Sequence, residues 1–281
     1  MTAALSTATL YPRPFLKWAG GKGRLIQQYQ PYFPRPIRRY YEPFLGGGAI
    51  FFHLSDRFGS AVLADINAEL VNVYQCVQQQ VEPLIRRLQE HHGNHEPDYY
   101  YGVRAQTTLA DPVERAARLI YLNKTCFNGL YRENAKGFFN VPIGRYKNPN
   151  ICDSATLRLA SEGLQRSQIS CDPFDAVLGQ AWRKDDFVYF DPPYHPISVT
   201  SSFTRYNRYG FTAEDQTQLR DVFVALADRG VQVMLSNSDC AFIRELYAGF
   251  CIREIQAARA INVNARRRGK ISELLITSYA T

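Results

Sequence analysis

No apolar run in this chain of 281 residues approaches the roughly 18 residues a membrane span requires before charge interrupts it. The start lacks the basic opening and apolar core of a secretory leader, so the expected setting is cytoplasmic. Close cysteine pairs are missing too. Cys76, Cys126, Cys152, Cys171, Cys240 and Cys251 are scattered, which argues against a zinc site and for reduced thiols serving as small apolar filler. His91, His92 and His95 have a metal-like spacing, but Gly93, Asn94, Glu96 and Pro97 around them read as a solvated loop, and no metal is expected. Internal repeats and low-complexity tracts are absent. The composition that remains, 46% hydrophobic, suffices for a full core in one large domain or a domain with a smaller insertion.

Acidic residues are in deficit, leaving a net charge of +7, and the location of the excess matters more than its size. Lys124, Arg132, Lys136, Arg145 and Lys147 stand against Glu133 alone in residues 124–147. In residues 252–270, Arg253, Arg259, Arg266, Arg267, Arg268 and Lys270 stand against Glu254. The rest of the chain is slightly acidic, so these two segments form a footprint suited to a polyanion.

Short apolar or alternating segments predict strands at Arg39–Tyr41, Ala61–Ala64, Gln168–Cys171, Phe187–Phe190, Val231–Ser236 and Ile271–Ser278. Helical periodicity covers Ile66–Gln80, Pro112–Leu122, Ala213–Ala227 and Cys240–Tyr247. Alternating strands and helices indicate an α/β fold with a parallel sheet. The alternation fails between about 81 and 165, where helical stretches surround an aromatic and basic segment, which places an inserted, mainly helical subdomain there.

Chemistry is concentrated at three junctions. Asp191-Pro192-Pro193-Tyr194 directly follows the apolar run Phe187–Phe190, and two prolines stop a buried strand at the end where α/β sheets bind ligands. A carboxylate accepts one hydrogen of an exocyclic amine, a carbonyl beside a proline accepts the second, and an aromatic ring holds the planar base. Tyr40 to Ala49 joins a strand to a helix through Gly46, Gly47 and Gly48, and Asp65 ends the next strand 19 residues after Gly46, where it can accept ribose hydroxyls. Both a nicotinamide dinucleotide and S-adenosylmethionine fit this layout, although the dinucleotide glycine pattern is incomplete. Phe15 to Lys22 opens the fold with an aromatic, a turn and a cation; Lys22 can pair a zwitterion's carboxylate and Trp18 can shield the ligand.

The order of these pieces resembles the Dam-type DNA N6-adenine methyltransferases, with cofactor motif first, target-recognition region second and Asp-Pro-Pro-Tyr third. Similarity runs from about Phe15 to Tyr279 and includes Phe15–Lys22, Glu42–Gly48, Ala64–Asn67, Asn123–Arg132, Phe139–Tyr146, Asp191–Tyr194, Leu235–Asp239 and Lys270–Tyr279. The resemblance implies a Rossmann-like catalytic domain in residues 13–80 and 166–281, and a DNA target-recognition domain with a β-hairpin in residues 81–165. It implies S-adenosyl-L-methionine as cofactor, held by Trp18, Lys22, Glu42, Gly46, Gly48, Asp65, Phe174 and Asp191, with catalysis by Asp191, Pro192, Pro193 and Tyr194.

The partner it implies is double-stranded chromosomal or viral DNA, bound by a monomer of a site-specific adenine methyltransferase (EC 2.1.1.72) most suited to GATC. Phe127–Arg132 and Phe139–Tyr146 read as two arms around a turn at Lys136-Gly137. Arg132 would specify guanine, Leu130 and Pro142 would contact thymine methyls, and Phe127 or Asn128 would enter the disturbed base stack. Lys124, Arg145 and Tyr146 would add DNA contacts, while Arg266, Arg267, Arg268 and Lys270 would hold phosphates. The tetrapeptide alone leaves N4 of cytosine and RNA open as targets, and the glycine loop alone leaves a dehydrogenase open. The charge alone leaves a noncatalytic DNA-binding protein.

Overall fold

A computed structural model describes residues 11–196, 210–258 and 270–280, leaving aside the side chains of residues 258, 270 and 271. Seven strands form one sheet: β1 (Arg39–Glu42), β2 (Ser60–Ala64), β3 (Ser167–Ser170), β4 (Asp186–Phe190), β5 (Gln232–Ser238), β6 (Cys251–Ala258) and β7 (Lys270–Thr277). Their order is β3-β2-β1-β4-β5-β7-β6. β7 runs antiparallel to both neighbours, and the other pairs are parallel. The parallel part is the α/β sheet that the alternating pattern predicts, the whole is Rossmann-like as the resemblance implies, and the antiparallel β7 departs from the pattern. From β1 the chain builds outward through β2 and β3, then returns to the other flank of β1 with β4. The connections therefore diverge between β1 and β4, and the carboxyl ends of those two strands are the switch point at which open α/β sheets bind ligands.

Every residue of β4 is buried, which is why it reads in sequence as a continuous apolar run. Its side chains alternate between two cores. Phe187 and Tyr189 join one cluster with Tyr40 and Leu63, while Val188 and Phe190 join the other with Tyr41 and Val62. Buried tyrosines are prominent in this interior, and three place their hydroxyls on internal carbonyls: Tyr41 on that of Gln180, Tyr74 on that of Gly46, and Tyr100 on that of Val141. A buried hydroxyl without such a partner costs on the order of 1–3 kcal/mol, so each bond also fixes its ring.

Helices α1 (Ile26–Tyr29), α2 (Ala49–Leu54) and α3 (Ala68–Gln79) belong to the first half of the sheet. α4 (Val81–Gly93), α5 (Pro97–Ala105), α6 (Pro112–Thr125) and α7 (Ser154–Leu164) follow, and α8 (Ala213–Asp228) and α9 (Ala241–Leu246) lie in the last part of the chain. Leu84, Ile85, Leu88, Tyr100 and Tyr121 of the inserted helices share one continuous core with Tyr40 and Phe187 of the sheet. After α6 the chain forms a loose antiparallel ribbon. Phe127 N–H donates to the Pro142 carbonyl at 2.9 Å, Asn140 N–H to that of Arg132 at 3.1 Å, and the turn closes from Gly137 N–H to the Asn134 carbonyl at 2.9 Å. The expected hairpin is thus present as a ribbon with isolated bridges, Cys126 to Ile143 and Glu133 to Phe139.

Three expectations change. β6 was not legible, because Arg253, Glu254 and Gln256 interrupt its apolar pattern; it is an edge strand specified by its register on β7. The predicted solvated loop is confined to the short link from Asn94 to Glu96: His91 and His92 belong to the end of α4, and His91 is 2% exposed with its ring stacked 4.8 Å from that of Tyr121. The helix expected from Ile66 starts at Ala68, because the Asn67 side chain accepts the N–H groups of Glu69 and Leu70, both at 3.1 Å.

Candidate active site

Asp191 leaves the end of β4 with its carboxylate directed toward the first motif of the chain. Lys22, only 4% exposed at the start of a short 3-10 turn, places Nζ 2.7 Å from Asp191 Oδ1 and also donates to the Gly20 carbonyl at 2.7 Å. Ser236 Oγ on β5 donates to the same Oδ1 at 2.8 Å and lies 2.9 Å from the Tyr189 hydroxyl. The sequence suggested a bound zwitterion's carboxylate as a partner of Lys22; within the chain its charged partner is Asp191. A buried ammonium needs such a counter-charge, since an unpaired one costs several kcal/mol.

Tyr194 is half-buried, with the Lys22 ammonium 4.7 Å from its ring centroid and its hydroxyl donating to Glu273 Oε2 on β7 at 2.8 Å. Burial, followed by the nearby Tyr29, Asp191 and Glu273, raises the pKa of its hydroxyl well above the ordinary tyrosine range, so the phenol stays neutral and donates. Glu273 and Ser236 lie within stretches similar to the family, yet nothing in their residue type marked these roles. Gln216, which donates to the Pro193 carbonyl at 3.0 Å, had no sequence signal beyond its place in a predicted helix.

The glycine loop follows β1 and turns beneath Trp18. Gly46 and Gly48 have φ of +48° and +65°, a left-handed backbone that other residues adopt at a cost. A Cβ on Gly46 would stand 2.9 Å from Trp18 Cδ1, and one on Gly48 2.9 Å from the Tyr74 hydroxyl. Asp65 fastens the loop: one carboxylate oxygen accepts Gly46 N–H and the other accepts Asn67 N–H, both at 3.0 Å. Burial raises its pKa and those amide bonds lower it, with burial the larger effect. Each oxygen keeps a second lone pair, which suits vicinal ribose hydroxyls, and the neighbouring Ile66 is 48% exposed and offers an apolar surface. The loop without side chains, the carboxylate and the apolar neighbour together fit the nucleoside half of an adenosyl cofactor.

Two predicted cofactor residues face elsewhere. Glu42 is 2% exposed and accepts from the Tyr40 hydroxyl at 2.8 Å and from Phe51 N–H at 3.2 Å, so it anchors α2 below the glycine loop. Burial raises its pKa well above the usual carboxylate range. Phe174 stacks on Phe44, centroids 5.4 Å apart, beside Phe211, on the face of the sheet opposite Trp18.

The antiparallel ribbon abuts the first motif. Trp18 stacks on Tyr131, with centroids 5.2 Å apart. Asn123, at the end of α6, accepts Lys17 N–H at 2.9 Å and donates to the Lys17 and Gly129 carbonyls at 2.7 and 3.1 Å. Lys17 Nζ donates to the Tyr146 hydroxyl at 3.2 Å. Arg132 is exposed but oriented, its Nε donating to Asn140 Oδ1 at 2.7 Å and its Nη2 to the Asn140 carbonyl at 3.3 Å. Phe127, Asn128, Pro142, Arg145 and Tyr146 are exposed on the same ribbon, whereas Leu130 is half-buried against the core. Lys124 is half-buried, and burial together with Lys17 lowers its pKa. Arg266, Arg267 and Arg268 lie outside the described residues, as does the side chain of Lys270. Among the described residues, no group of three or more His, Cys, Asp or Glu side chains could hold a metal, and no helix is long and apolar enough to cross a membrane.

A family model described as D12 class N6 adenine-specific DNA methyltransferase matches residues 18–261. A type II methyltransferase of Lactococcus lactis subsp. cremoris is 43% identical over 274 residues, covering 95% of each chain. A type II methyltransferase of Methanocaldococcus jannaschii is 41% identical over 287 residues, covering 95% of this chain and 99% of that one. A DNA adenine methylase of Vibrio cholerae is 37% identical over 267 residues, covering 94% and 95%. With Asp191–Tyr194, the glycine loop and Asp65 gathered at one end of such a sheet, and with matches spanning nearly the whole sequence, the chain belongs to the D12 class of N6 adenine-specific DNA methyltransferases.

Proposed function

We propose that the protein transfers a methyl group from S-adenosyl-L-methionine to N6 of an adenine turned out of duplex DNA, with GATC as its site. The contact between Lys22 and Asp191 carries this reading, because it joins the first motif of the chain to the tetrapeptide beside the glycine loop. When bound, S-adenosyl-L-methionine supplies an electrophilic sulfonium methyl group. Asp65 would hold the ribose hydroxyls, the Gly46–Gly48 backbone would admit the ligand closely, and Trp18 would shield it. Glu42 supports the loop from below, and Lys22 serves as the counter-charge of Asp191.

An adenine amine inside the duplex is out of reach, and extruding the base costs a few kcal/mol. Stacking on Tyr194 offsets part of that cost. Ser236 and Lys22 hold Asp191 Oδ1. The incoming amine then uses Oδ2, or displaces Lys22, while the Pro192 carbonyl accepts its second hydrogen. Two acceptors in fixed places localise the nitrogen lone pair, which otherwise spreads into the ring, and aim it for in-line attack. Pro193 keeps the turn rigid. No covalent enzyme intermediate forms.

Residues 81–165 would supply target recognition, and residues 13–80 with 166–281 the catalytic part, acting as a monomer. Arg132, preset by Asn140, reads guanine O6 and N7. Pro142 and Leu130 contact thymine methyls, Phe127 or Asn128 enters the base stack, and Lys124, Arg145 and Tyr146 add contacts beside them. Arg266, Arg267, Arg268 and Lys270 hold phosphates and carry no sequence information. Expression in a host without adenine methylation, followed by sequencing of modified bases, should find N6-methyladenine in GATC. Modification of cytosine, or of adenine in another site, overturns that assignment.

A further inference from the structure

Tyr194 is braced on both sides by residues outside the tetrapeptide. Gln216, fully buried in the first turn of α8, donates from Nε2 to the Pro193 carbonyl at 3.0 Å. Its Oε1 accepts from Nδ2 of Asn237, fully buried on β5, at 2.9 Å. Asn237 Oδ1 in turn accepts the N–H of His195 at 3.2 Å and that of Ser238 at 2.8 Å. Pro193 and His195 flank Tyr194, so the two amides close a ring of hydrogen bonds around its backbone. The ring ties that turn to a helix whose start is fixed by a capping box between Thr212 and Asp215.

We propose that Gln216 and Asn237 are positioning residues for methyl transfer, setting the pitch of the Tyr194 ring and hence where the target base lies against Asp191. The inference rests on the reading that adenine stacks on Tyr194. Only a side chain that donates and accepts at once can serve at position 216, because it meets a carbonyl on one side and an N–H on the other. Misplacing a reacting group by about 1 Å can cost on the order of a hundredfold in rate.

Gln216→Glu provides a test with a sharp signature. A neutral carboxyl reproduces both bonds, its O–H donating to Pro193 and its C=O accepting from Asn237, whereas the carboxylate has no hydrogen to donate. Burial raises a carboxyl pKa, which moves this ionisation toward the working range. The ratio of variant to wild-type kcat should therefore lie within about threefold of unity at pH 5.5 and fall by about tenfold or more by pH 8.5. Gln216→Met, which can make neither bond, should be slow at both pH values, with its KM for S-adenosyl-L-methionine nearly unchanged. A folded Gln216→Met variant with wild-type kcat, or a Gln216→Glu ratio that is constant with pH, overturns the positioning role; the second result decides even if Gln216→Met fails to fold. Wild-type protein that leaves adenine unmethylated overturns the parent reading instead.

Discussion

Asp191 and Asp65 are both carboxylates at strand ends, yet their surroundings give them different tasks. Lys22 and Ser236 engage Asp191 through side chains, whereas Asp65 is bonded by two backbone amides that shape the glycine loop. Asp191→Asn keeps the volume, and Lys22 keeps its Gly20 carbonyl, but the new amide presents a donor where the target amine needs an acceptor. Methyl transfer should fall at least about a hundredfold while DNA affinity stays near wild type, since the proposed phosphate contacts lie elsewhere. Comparable transfer by a folded variant in a single-turnover assay removes Asp191 from the chemistry. Asp65→Ala should weaken S-adenosyl-L-methionine binding by roughly 1–3 kcal/mol, the range for charged hydrogen bonds left unmade. Calorimetry that finds unchanged affinity assigns the ribose to another residue.

The ribbon after α6 is an element held by side chains more than by strand pairing, with Asn140 orienting Arg132 and Asn123 joining the ribbon to Lys17. Arg132→Ala should lose about 1–3 kcal/mol of discrimination at one guanine, because the proposed bond is to a base edge. Asn140→Ala should lose part of that discrimination with the arginine still present. Methylation rates on GATC and singly substituted sites test both variants together. If Arg132→Ala slows every site by one factor, base reading belongs to another side chain.

For the whole molecule, charge and burial predict responses to salt and to pH. Arg267 is assigned to a phosphate from its basic segment alone, so Arg267→Ala should weaken all sequences alike and reduce the slope of log affinity against log salt by about 0.9. An unchanged slope removes that contact. His91 lies buried between α4 and α6 with Nδ1 2.8 Å from the Tyr99 hydroxyl, and burial, followed by the charge of Arg87, lowers its pKa to about 4. Unfolding frees the ring to take a proton near its ordinary pKa of 6.5. The unfolded state therefore binds more protons between these values, and the stability that His91 contributes is present above pH 6.5 and lost as pH falls toward 4. The shift corresponds to about 3 kcal/mol at most. Melting curves of wild type and His91→Phe should converge as pH falls from 7.5 to 4.5. Parallel curves across that range mean that His91 does not sense pH.

The sequence by itself determined those parts whose physics is local. A buried parallel strand needs apolar residues on both faces, so Phe187–Phe190 announced β4, and two prolines announced its end at Asp191. A loop that must turn tightly against Trp18 and Tyr74 needs glycine, so Gly46–Gly48 announced the turn after β1. Only tertiary structure decided features in which distant residues compete for one partner. Lys22 and Asp191 are 169 positions apart in the chain, and nothing near either showed that the pair would bond to each other. Edge strand β6 depends on its register with β7 rather than on its own pattern, and His91 of α4 is interior because Tyr121 of another helix covers it, while His92 next to it stays exposed. Gln216 reads as one more polar position of an amphipathic helix; it braces Tyr194 because folding carries the first turn of α8 to the end of β4, where the Pro193 carbonyl accepts from its amide.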